Sequence, residues 1–175
     1  MIILITVIFC LSQSLAVRQG NAPWHLARLS AKEAWPQPQP YVYDYYTTQS
    51  RVIVYLLDTG IDINNPEFEG RAKDGNYYYG RSERDDNGRG THLAGLIASR
   101  TYGVAKNVTL VSVKIHSARG TGRVDEAVQG LQWARHNTAD KSHTVVCIPS
   151  AYYYSEYFNA ALNSVRHLMT TLITF

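Results

Sequence analysis

The chain has 175 residues, of which 45% are apolar and 18% are charged, and its formal net charge is +3. This composition excludes an intrinsically disordered chain, which needs low hydrophobicity and a high net charge. The length suits one domain with a real core. Because no run of Lys or Arg is present, we expect neither nucleic acid nor a polybasic membrane surface as a partner.

The first sixteen residues have the pattern of a targeting signal. Residues 2–11 are almost all apolar, and small residues follow at Ser14 and Ala16. Such a run before a small-x-small site is typical of a secretory signal peptide, and it is shorter than the about 20 residues of a membrane span. We predict a signal peptide over 1–16 and a secreted, extracellular domain over 17–175. Since no Lys or Arg precedes the run, a frayed apolar terminus and a short membrane anchor stay as alternatives.

The expected roles of the two cysteines and of a glycosylation sequon depend on whether the signal peptide is removed. Cys10 would leave with the signal peptide, so Cys147 would stand alone in the mature chain, without an internal disulfide. Because Cys147 lies in an apolar run, we predict a buried, inert thiol. The tripeptide that starts at Asn107 is an N-glycosylation sequon, so Asn107 is a predicted glycosylation site of a secreted product.

Strand and helix patterns alternate along the rest of the chain. Residues 17–50, which contain four prolines, are predicted to be irregular. A run of β-branched and aliphatic residues at 51–57 predicts a buried strand that a turn ends. Strands alternating with helices predict a parallel sheet with helices on its faces. The further predicted elements are a weak strand at 76–79, strands at 109–115, 143–148 and 170–175, and helices at 91–100, 124–134 and 158–168.

Two polar segments could carry chemistry. Asp58 ends the first strong strand, where open α/β sheets place ligands and catalytic groups, although it could equally be a turn former that bonds its own backbone. Residues 85–95 contain two glycines that lead into a helix, without the spacing of a phosphate-binding loop. The six histidines are scattered and no paired cysteines occur, so we predict no metal site and no cofactor.

Five motifs in order resemble the subtilisin-like serine proteases, and most closely the proteinase K branch. The resemblance extends from about residue 21 to residue 165. Its motifs are Ala-Pro-Trp-His-Leu-Ala-Arg-Leu-Ser at 22–30, Asp-Thr-Gly at 58–60, Gly-Arg-Gly-Thr-His-Leu-Ala-Gly at 88–95, Tyr-Gly-Val-Ala at 102–105 and Gly-Thr-Gly at 120–122.

The resemblance implies a fold and an activity. The fold is α/β, with a mostly parallel sheet between helices on both faces, in a subtilisin-like arrangement that is C-terminally truncated. The activity is that of a serine endopeptidase acting on protein or peptide substrates without a catalytic metal. A structural calcium ion is common in such proteins, but no residue is assigned to it here, and the oligomeric state is left open.

The sequence departs from the family at its catalytic residues. Asp58 matches the Asp of the catalytic triad, but Arg89 stands where the family has its general base, His. A guanidinium has no acceptor and stays charged, so we expect a static ion pair between Arg89 and Asp58. His92 matches the second His of the motif, whose position is structural. The family's Ser nucleophile and oxyanion Asn have no counterpart in the sequence, so the chain is predicted to be catalytically incompetent.

The substrate-binding segment departs as well. Pro149, Ser150, Ala151 and Tyr152 match the family's Ser-Leu-Gly-Gly edge strand. Proline offers no N–H to a strand ladder, and Tyr152 puts a large ring where glycine leaves room. The edge could also simply be capped.

Three functional readings follow from these departures. The first is an inactive homologue, and the second is an incomplete or miscalled sequence of an active secreted endopeptidase. The third is a pseudo-protease that binds inhibitors or propeptides. The tyrosine clusters at 77–79 and 152–154 could serve binding, because Tyr is favoured at interfaces, but packing against the sheet is the preferred interpretation.

Overall fold

The computed structural model describes residues 15–32, 39–47, 52–166 and 171–174. The predicted signal peptide thus lies outside the described residues except for its last two positions. No helix in the described ranges has both the length and the apolar character that crossing a membrane requires. The elements in chain order are β1 (Leu15–Gly20), α1 (Trp24–Ser30), β2 (Val42–Thr47), β3 (Ile53–Asp58), β4 (Ala72–Tyr77), α2 (Arg89–Ala98), β5 (Thr109–Lys114), α3 (Val124–Asn137), β6 (Thr144–Ile148), α4 (Glu156–Arg166) and β7 (Thr171–Thr174).

A parallel sheet forms the centre of the structure. Its strand order is β4-β5-β3-β6-β7, and every neighbouring pair runs parallel. β3 lies in the middle, and all its residues but the first are buried. Strands that are covered on both faces carry continuous apolar runs, which explains the run before Asp58 and confirms the buried strand predicted there.

Helices cover both faces of this sheet. Successive side chains of a strand point to opposite faces, so Leu57 packs in the core beneath α3 and α4, with Leu131 and Ile148. Leu56 packs in a second core, with Ala94 of α2. The predicted three-layer α/β architecture is therefore confirmed, and it places the carboxyl ends of β3 and β5 side by side.

The prediction that residues 17–50 are irregular is wrong where the structure gives strands and a helix, and its positions 33–38 and 48–50 lie outside the described residues. β1 and β2 form an antiparallel pair, and α1 packs against it through the buried Leu26 next to Tyr43. Arg18 and Asp44 face each other across the pair, 2.7 Å apart. This unit was not predicted because its strands lack a long alternation of apolar and polar residues. They carry tyrosine and charged side chains around a very small core.

The weak strand predicted at 76–79 begins earlier in the structure. β4 ends at Tyr77, and its register with β5 shifts between Asp74 and Asn76. Gly75 sits at this irregularity, where a β-carbon would lie 2.5 Å from the carbonyl oxygen of Ser112. The close approach of two backbones requires glycine there. Because glycine is rare in strands, it made the strand pattern of this segment harder to recognise in the sequence.

A single carboxylate organises the start of α2. Asp85 accepts hydrogen bonds from the hydroxyl of Thr59 at 2.8 Å, from the backbone N–H of Gly88 at 2.8 Å and from that of Thr91 at 2.9 Å. It also accepts from the N–H of Asn87 and from the hydroxyl of Thr91. The first N–H groups of a helix have no partner within the helix. Asp85 satisfies that of Thr91, and its bond with Thr59 ties α2 to the turn after β3.

Two glycines let that turn and the helix touch. The backbone N–H of Gly90 donates to the hydroxyl of Thr59 at 2.9 Å, and a β-carbon at Gly90 would lie only 2.0 Å from the carbonyl oxygen of Gly60. Gly60 itself has φ of +111°, a conformation that glycine adopts without steric cost. α2 therefore begins directly against the end of β3.

We predict that Asp85→Asn lowers the free energy of unfolding by about 2–3 kcal/mol, because hydrogen bonds to an ionised acceptor are lost. Urea denaturation at pH 7 measures this change. The exposed Asp74→Asn on β4 is the matched control and should change stability by less than about 0.5 kcal/mol. Equal effects of the two substitutions would contradict the role given to Asp85.

The pH dependence supplies a second readout of Asp85. Burial alone would raise the pKa of this carboxyl, but hydrogen bonds from Thr91, Gly88 and Thr59 outweigh burial and lower the pKa below its ordinary value. A carboxylate with a lowered folded-state pKa stabilises the fold above its unfolded pKa of about 3.9, and that contribution is lost as the pH falls through the folded-state pKa. The stability of Asp85→Asn should therefore fall less steeply below about pH 4.

Candidate active site at Asp58 and Arg89

The site is built around a buried ion pair. Asp58, the last residue of β3, is fully buried and accepts a hydrogen bond from the backbone N–H of Thr59 at 2.7 Å. Nε of Arg89, the first residue of α2, lies 3.0 Å and 3.2 Å from the two carboxylate oxygens of Asp58. The ion pair expected from the sequence is thus present, and it uses one edge of the guanidinium group.

The other edge of the Arg89 guanidinium group makes longer contacts. Nη1 lies 3.3 Å from the carbonyl oxygen of Gly120. Nη2 lies 3.2 Å from Nδ1 of His116 and 3.5 Å from the hydroxyl oxygen of Ser150. Charge-assisted hydrogen bonds are usually 2.7–2.9 Å long, so these three contacts are weaker than the contact with Asp58.

His116 extends the polar network to Tyr152. A guanidinium group can only donate, so Nδ1 of His116 accepts from Arg89 and the ring proton of the neutral His116 is assigned to Nε2. Nε2 then donates to the phenol oxygen of Tyr152 at 2.9 Å, and the two rings stack with their centres 6.1 Å apart.

Burial keeps both rings of this pair neutral. Burial lowers the pKa of His116 to about 4; the charge of Asp58 opposes this shift, while the charges of Arg89 and Lys114 add to it. Burial is also the main reason why the pKa of Tyr152 is raised to about 12. Neither side chain is therefore ionised near neutral pH.

His116 was not among the site residues predicted from the sequence, although its position in the chain indicates a role. His116 follows β5, the parallel neighbour of β3, and the carboxyl ends of parallel strands meet at one edge of a sheet. In the sequence, Asp58 alone was assigned a role on this ground. The same rule applies to Lys114, the last residue of β5, whose buried Nζ donates to the carbonyl oxygen of Thr59 and lies 2.6 Å from Oδ1 of Asp86.

This arrangement pairs two fixed charges, and its side chains offer few acceptors for a proton. Arg89 has no lone pair with which to accept a proton. Of the described side chains that contact Arg89, His116 has the one basic nitrogen, and both its ring nitrogens are engaged in hydrogen bonds. Its pKa of about 4 makes it a weak base at neutral pH. Catalytic bases work best with a pKa near the operating pH.

The segment predicted as a degenerate edge strand is a loop. β6 ends at Ile148, and residues 149–152 pair with no strand in the described parts of the chain. The backbone N–H of Ser150 donates back to the carbonyl oxygen of Ile148 at 2.9 Å. Pro149 and Ser150 are half-buried and Ala151 is exposed. The missing N–H of proline agrees with the end of the ladder at this point.

The tyrosines were predicted to pack on the sheet, which is wrong for two of them. Tyr152 is half-buried and packs against Phe158, with ring centres 5.0 Å apart. Tyr153 and Tyr154, by contrast, are 98% and 83% exposed. Tyr77 and Tyr79 are exposed to a lesser extent. The loop explains this outcome, because consecutive residues outside a helix or strand need not alternate between a core and solvent.

The remaining candidate residues lie apart from the ion pair. The side chain of His92 is exposed on α2, along a separate cavity of about 680 Å³ that Leu96 and Tyr102 also line. Asn107 is exposed in the turn before β5. Cys147 is buried, as predicted, and burial raises the pKa of its thiol.

Metal ligands do not converge in the described part of the chain. There, no group of three or more His, Cys, Asp or Glu side chains is arranged to hold a metal ion.

Comparison with known proteins decides the family. The sequence matches the subtilase family, peptidase S8, over residues 49–150, which is more than half of the chain. The chain belongs to the subtilase family. The match includes Asp58, Arg89 and the loop up to Ser150, so the subtilase part of the chain contains the whole ion-pair site.

Two similar proteins from fungi illustrate the match in sequence. This subtilase is 42% identical to Proteinase R of Parengyodontium album over 124 residues, or 71% of this chain and 31% of that protein. It is 46% identical to Subtilisin-like protease 3 of Arthroderma otae over 116 residues, or 66% of this chain and 28% of that protein. The chain thus spans about a third of the length of the curated relatives it matches.

A solved structure confirms the subtilisin-like fold. The crystal structure of a cold-adapted subtilisin-like serine proteinase matches with a TM-score of 0.75 and 28% sequence identity. The match covers 88% of this subtilase chain and 55% of the neighbour. The resemblance predicted from five short motifs is therefore confirmed in sequence and in fold.

We predict that the His116 ring makes the stability of this subtilase depend on pH. Because the folded-state pKa of about 4 lies below the ordinary 6.5, the unfolded chain binds the proton more readily. Stability should be full above about pH 6.5 and should fall as the pH drops through 4. Urea unfolding midpoints at pH 4.5 and 7.0 measure the difference.

The matched controls are His116→Gln and the exposed His136→Gln. The first should reduce the difference between the two midpoints, and the second should leave it unchanged. An undiminished difference in His116→Gln would show that the pH dependence arises elsewhere.

Proposed function

We propose that this chain is a pseudo-protease: a subtilase domain that binds peptides in its cleft and does not hydrolyse them. The observation that carries the proposal is the contact of Arg89 Nε with both carboxylate oxygens of Asp58, at 3.0 Å and 3.2 Å. The family resemblance puts a histidine base at this position. Here a permanently charged donor fills it, and the carboxylate that would orient a histidine is already engaged.

The chemistry of peptide hydrolysis supports this interpretation. A serine protease needs a neutral side chain that takes a proton from the nucleophile and then gives it to the leaving group. Arg89 can do neither, since its guanidinium stays protonated in proteins. His116 is the nearest alternative in the network, but its two hydrogen bonds and its low pKa oppose such a role.

The shape of the site supports binding. A cavity of about 670 Å³ lies beside Arg89, between residues 120–122 and residues 149–153. Ligand sites in proteins commonly have about 300–1,000 Å³. Both walls are loop segments, and the apolar side chains of Val124 and Tyr152 line part of the cavity. Short peptides are the ligand class that the subtilase family suggests.

We also propose that the product is secreted after removal of residues 1–16 and that Asn107 carries a glycan. Asn107 is exposed in a turn, which suits an attached sugar. Removal of residues 1–16 would shorten β1 to Val17–Gly20. The mass of the secreted protein before and after glycosidase treatment tests both points.

A second candidate function is an active secreted serine endopeptidase, encoded by a longer sequence with histidine at position 89. The observation that favours it is the share of the relatives that the chain spans, 31% of Proteinase R. Sequencing the transcript across codon 89 and beyond codon 175 separates the candidates. A histidine codon at 89 favours the endopeptidase, and an arginine codon favours the pseudo-protease.

We predict that the purified chain, expressed from its full sequence, hydrolyses neither casein nor peptide esters. We also predict that a fluorophosphonate probe, which reacts with activated serines, does not label it. Proteinase R is the positive control, and the heat-denatured chain gives the background. Labelling above background, or hydrolysis that a fluorophosphonate abolishes, would overturn the proposal that Arg89 leaves the site inactive.

A further inference from the structure

The cavity beside Arg89 is lined by one positively charged side chain. Of the described residues that line it, Arg89 alone carries a formal charge. Asp58 is fully buried behind Arg89 and does not reach the cavity. His116 also lines the cavity, but its ring is neutral at neutral pH because its pKa is about 4. A ligand in this cavity therefore contacts one charged group, which is positive, while the buried carboxylate 3.0 Å from Nε of Arg89 offsets part of that charge.

The geometry of Arg89 leaves its cationic edge available. Asp58 engages Nε, whereas Nη1 and Nη2 point to Gly120, His116 and Ser150 through contacts of 3.2–3.5 Å. The side chain of Arg89 is 36% exposed. A carboxylate can bind two guanidinium nitrogens at once, at shorter distances than these contacts. Such a ligand would thus replace weak contacts by strong ones.

Further donors and apolar walls define the rest of the ligand. The hydroxyl of Ser150 lies 3.5 Å from Nη2 of Arg89, so it can donate to the same carboxylate. Val124, Pro149 and the ring of Tyr152 add apolar surface to the cavity. A volume of about 670 Å³ exceeds the size of a single small anion and fits several amino-acid residues.

We propose that this cavity binds the free C-terminal carboxylate of a peptide, with the Nη edge of Arg89 and the hydroxyl of Ser150 as its partners. The inference rests on the proposed function, that the cleft binds peptides without hydrolysing them, and it names the part of the peptide that is recognised. Asp58 acts as a positioning residue, because it holds the guanidinium group by Nε and aims Nη1 and Nη2 at the cavity. The terminal side chain of the peptide lies against Val124 and Tyr152.

The test compares two forms of one ligand on the unaltered protein. The probes are fluorescein-labelled tetrapeptide pools of random sequence that end either in a free carboxylate or in a carboxamide. Fluorescence polarisation at pH 7 measures their affinities. We expect the free-acid pool to bind at least tenfold more tightly, since the amide lacks the negative charge that pairs with Arg89. This comparison needs no variant and so does not depend on the folding of one.

Two variants then identify the group that recognises the carboxylate. Arg89→Gln should abolish the preference for the free acid, whereas Arg28→Gln, at an exposed position on α1 outside the cavity, should keep it. Because Arg89→Gln leaves Asp58 buried without its partner, circular dichroism must first confirm that the variant is folded. If it is not, Ser150→Ala replaces it and should reduce the preference about threefold or more.

The outcomes separate this inference from the proposed function. Equal binding of acid and amide pools would overturn carboxylate recognition and leave peptide binding intact. Binding of neither pool would overturn both. A preference that survives in Arg89→Gln, or that disappears equally in Arg28→Gln, would show that general surface charge selects the acid, and it would also overturn the inference.

Discussion

A carboxylate removed from water must be matched by charge and by hydrogen bonds, and the fully buried Asp58 imposes this requirement on its surroundings. The backbone N–H of Thr59 and the Nε of Arg89 meet it directly. The orientation that Arg89 adopts for Asp58 then directs its other nitrogens towards Gly120, His116 and Ser150. One buried charge at the end of a strand is thereby linked to two loops, the one between β5 and α3 and the one after β6.

The placement of Arg89 follows from backbone geometry. Asp85 accepts from the N–H of Thr91 in the first turn of α2 and also from the hydroxyl of Thr59. The same hydroxyl oxygen accepts from the N–H of Gly90. These bonds join the end of β3 to the beginning of α2 without the side chain of residue 89. The ion pair therefore forms between two points that are already fixed, which reduces the conformational entropy lost when it forms.

The sequence predicted those parts of the fold that depend on long apolar patterns. The buried strand before Asp58 and the amphipathic helix around Leu131 have clear periodicities, and both lie at the centre of the structure. The pairing of β1 with β2 depends instead on tyrosine packing around Leu26, and such a small core leaves little signal. Within the site, the partnership of Asp58 and Arg89 was predictable from charge. The bond between His116 and Tyr152 was not, because it joins two loops that are 36 positions apart and depends on burial.

The contacts between the end of β3 and the start of α2 have a further consequence for which side chains position 89 can carry. The backbone of residue 89 is held between four residues, Thr59, Gly60, Asp85 and Gly90. None of the contacts among these four involves the side chain of residue 89. The side chain at position 89 can therefore differ while these contacts stay in place. Because those contacts use only backbone atoms and the side chains of Thr59 and Asp85, an exchange between histidine and arginine at position 89 removes none of them. The support of position 89 is thus independent of the chemistry that the side chain there performs.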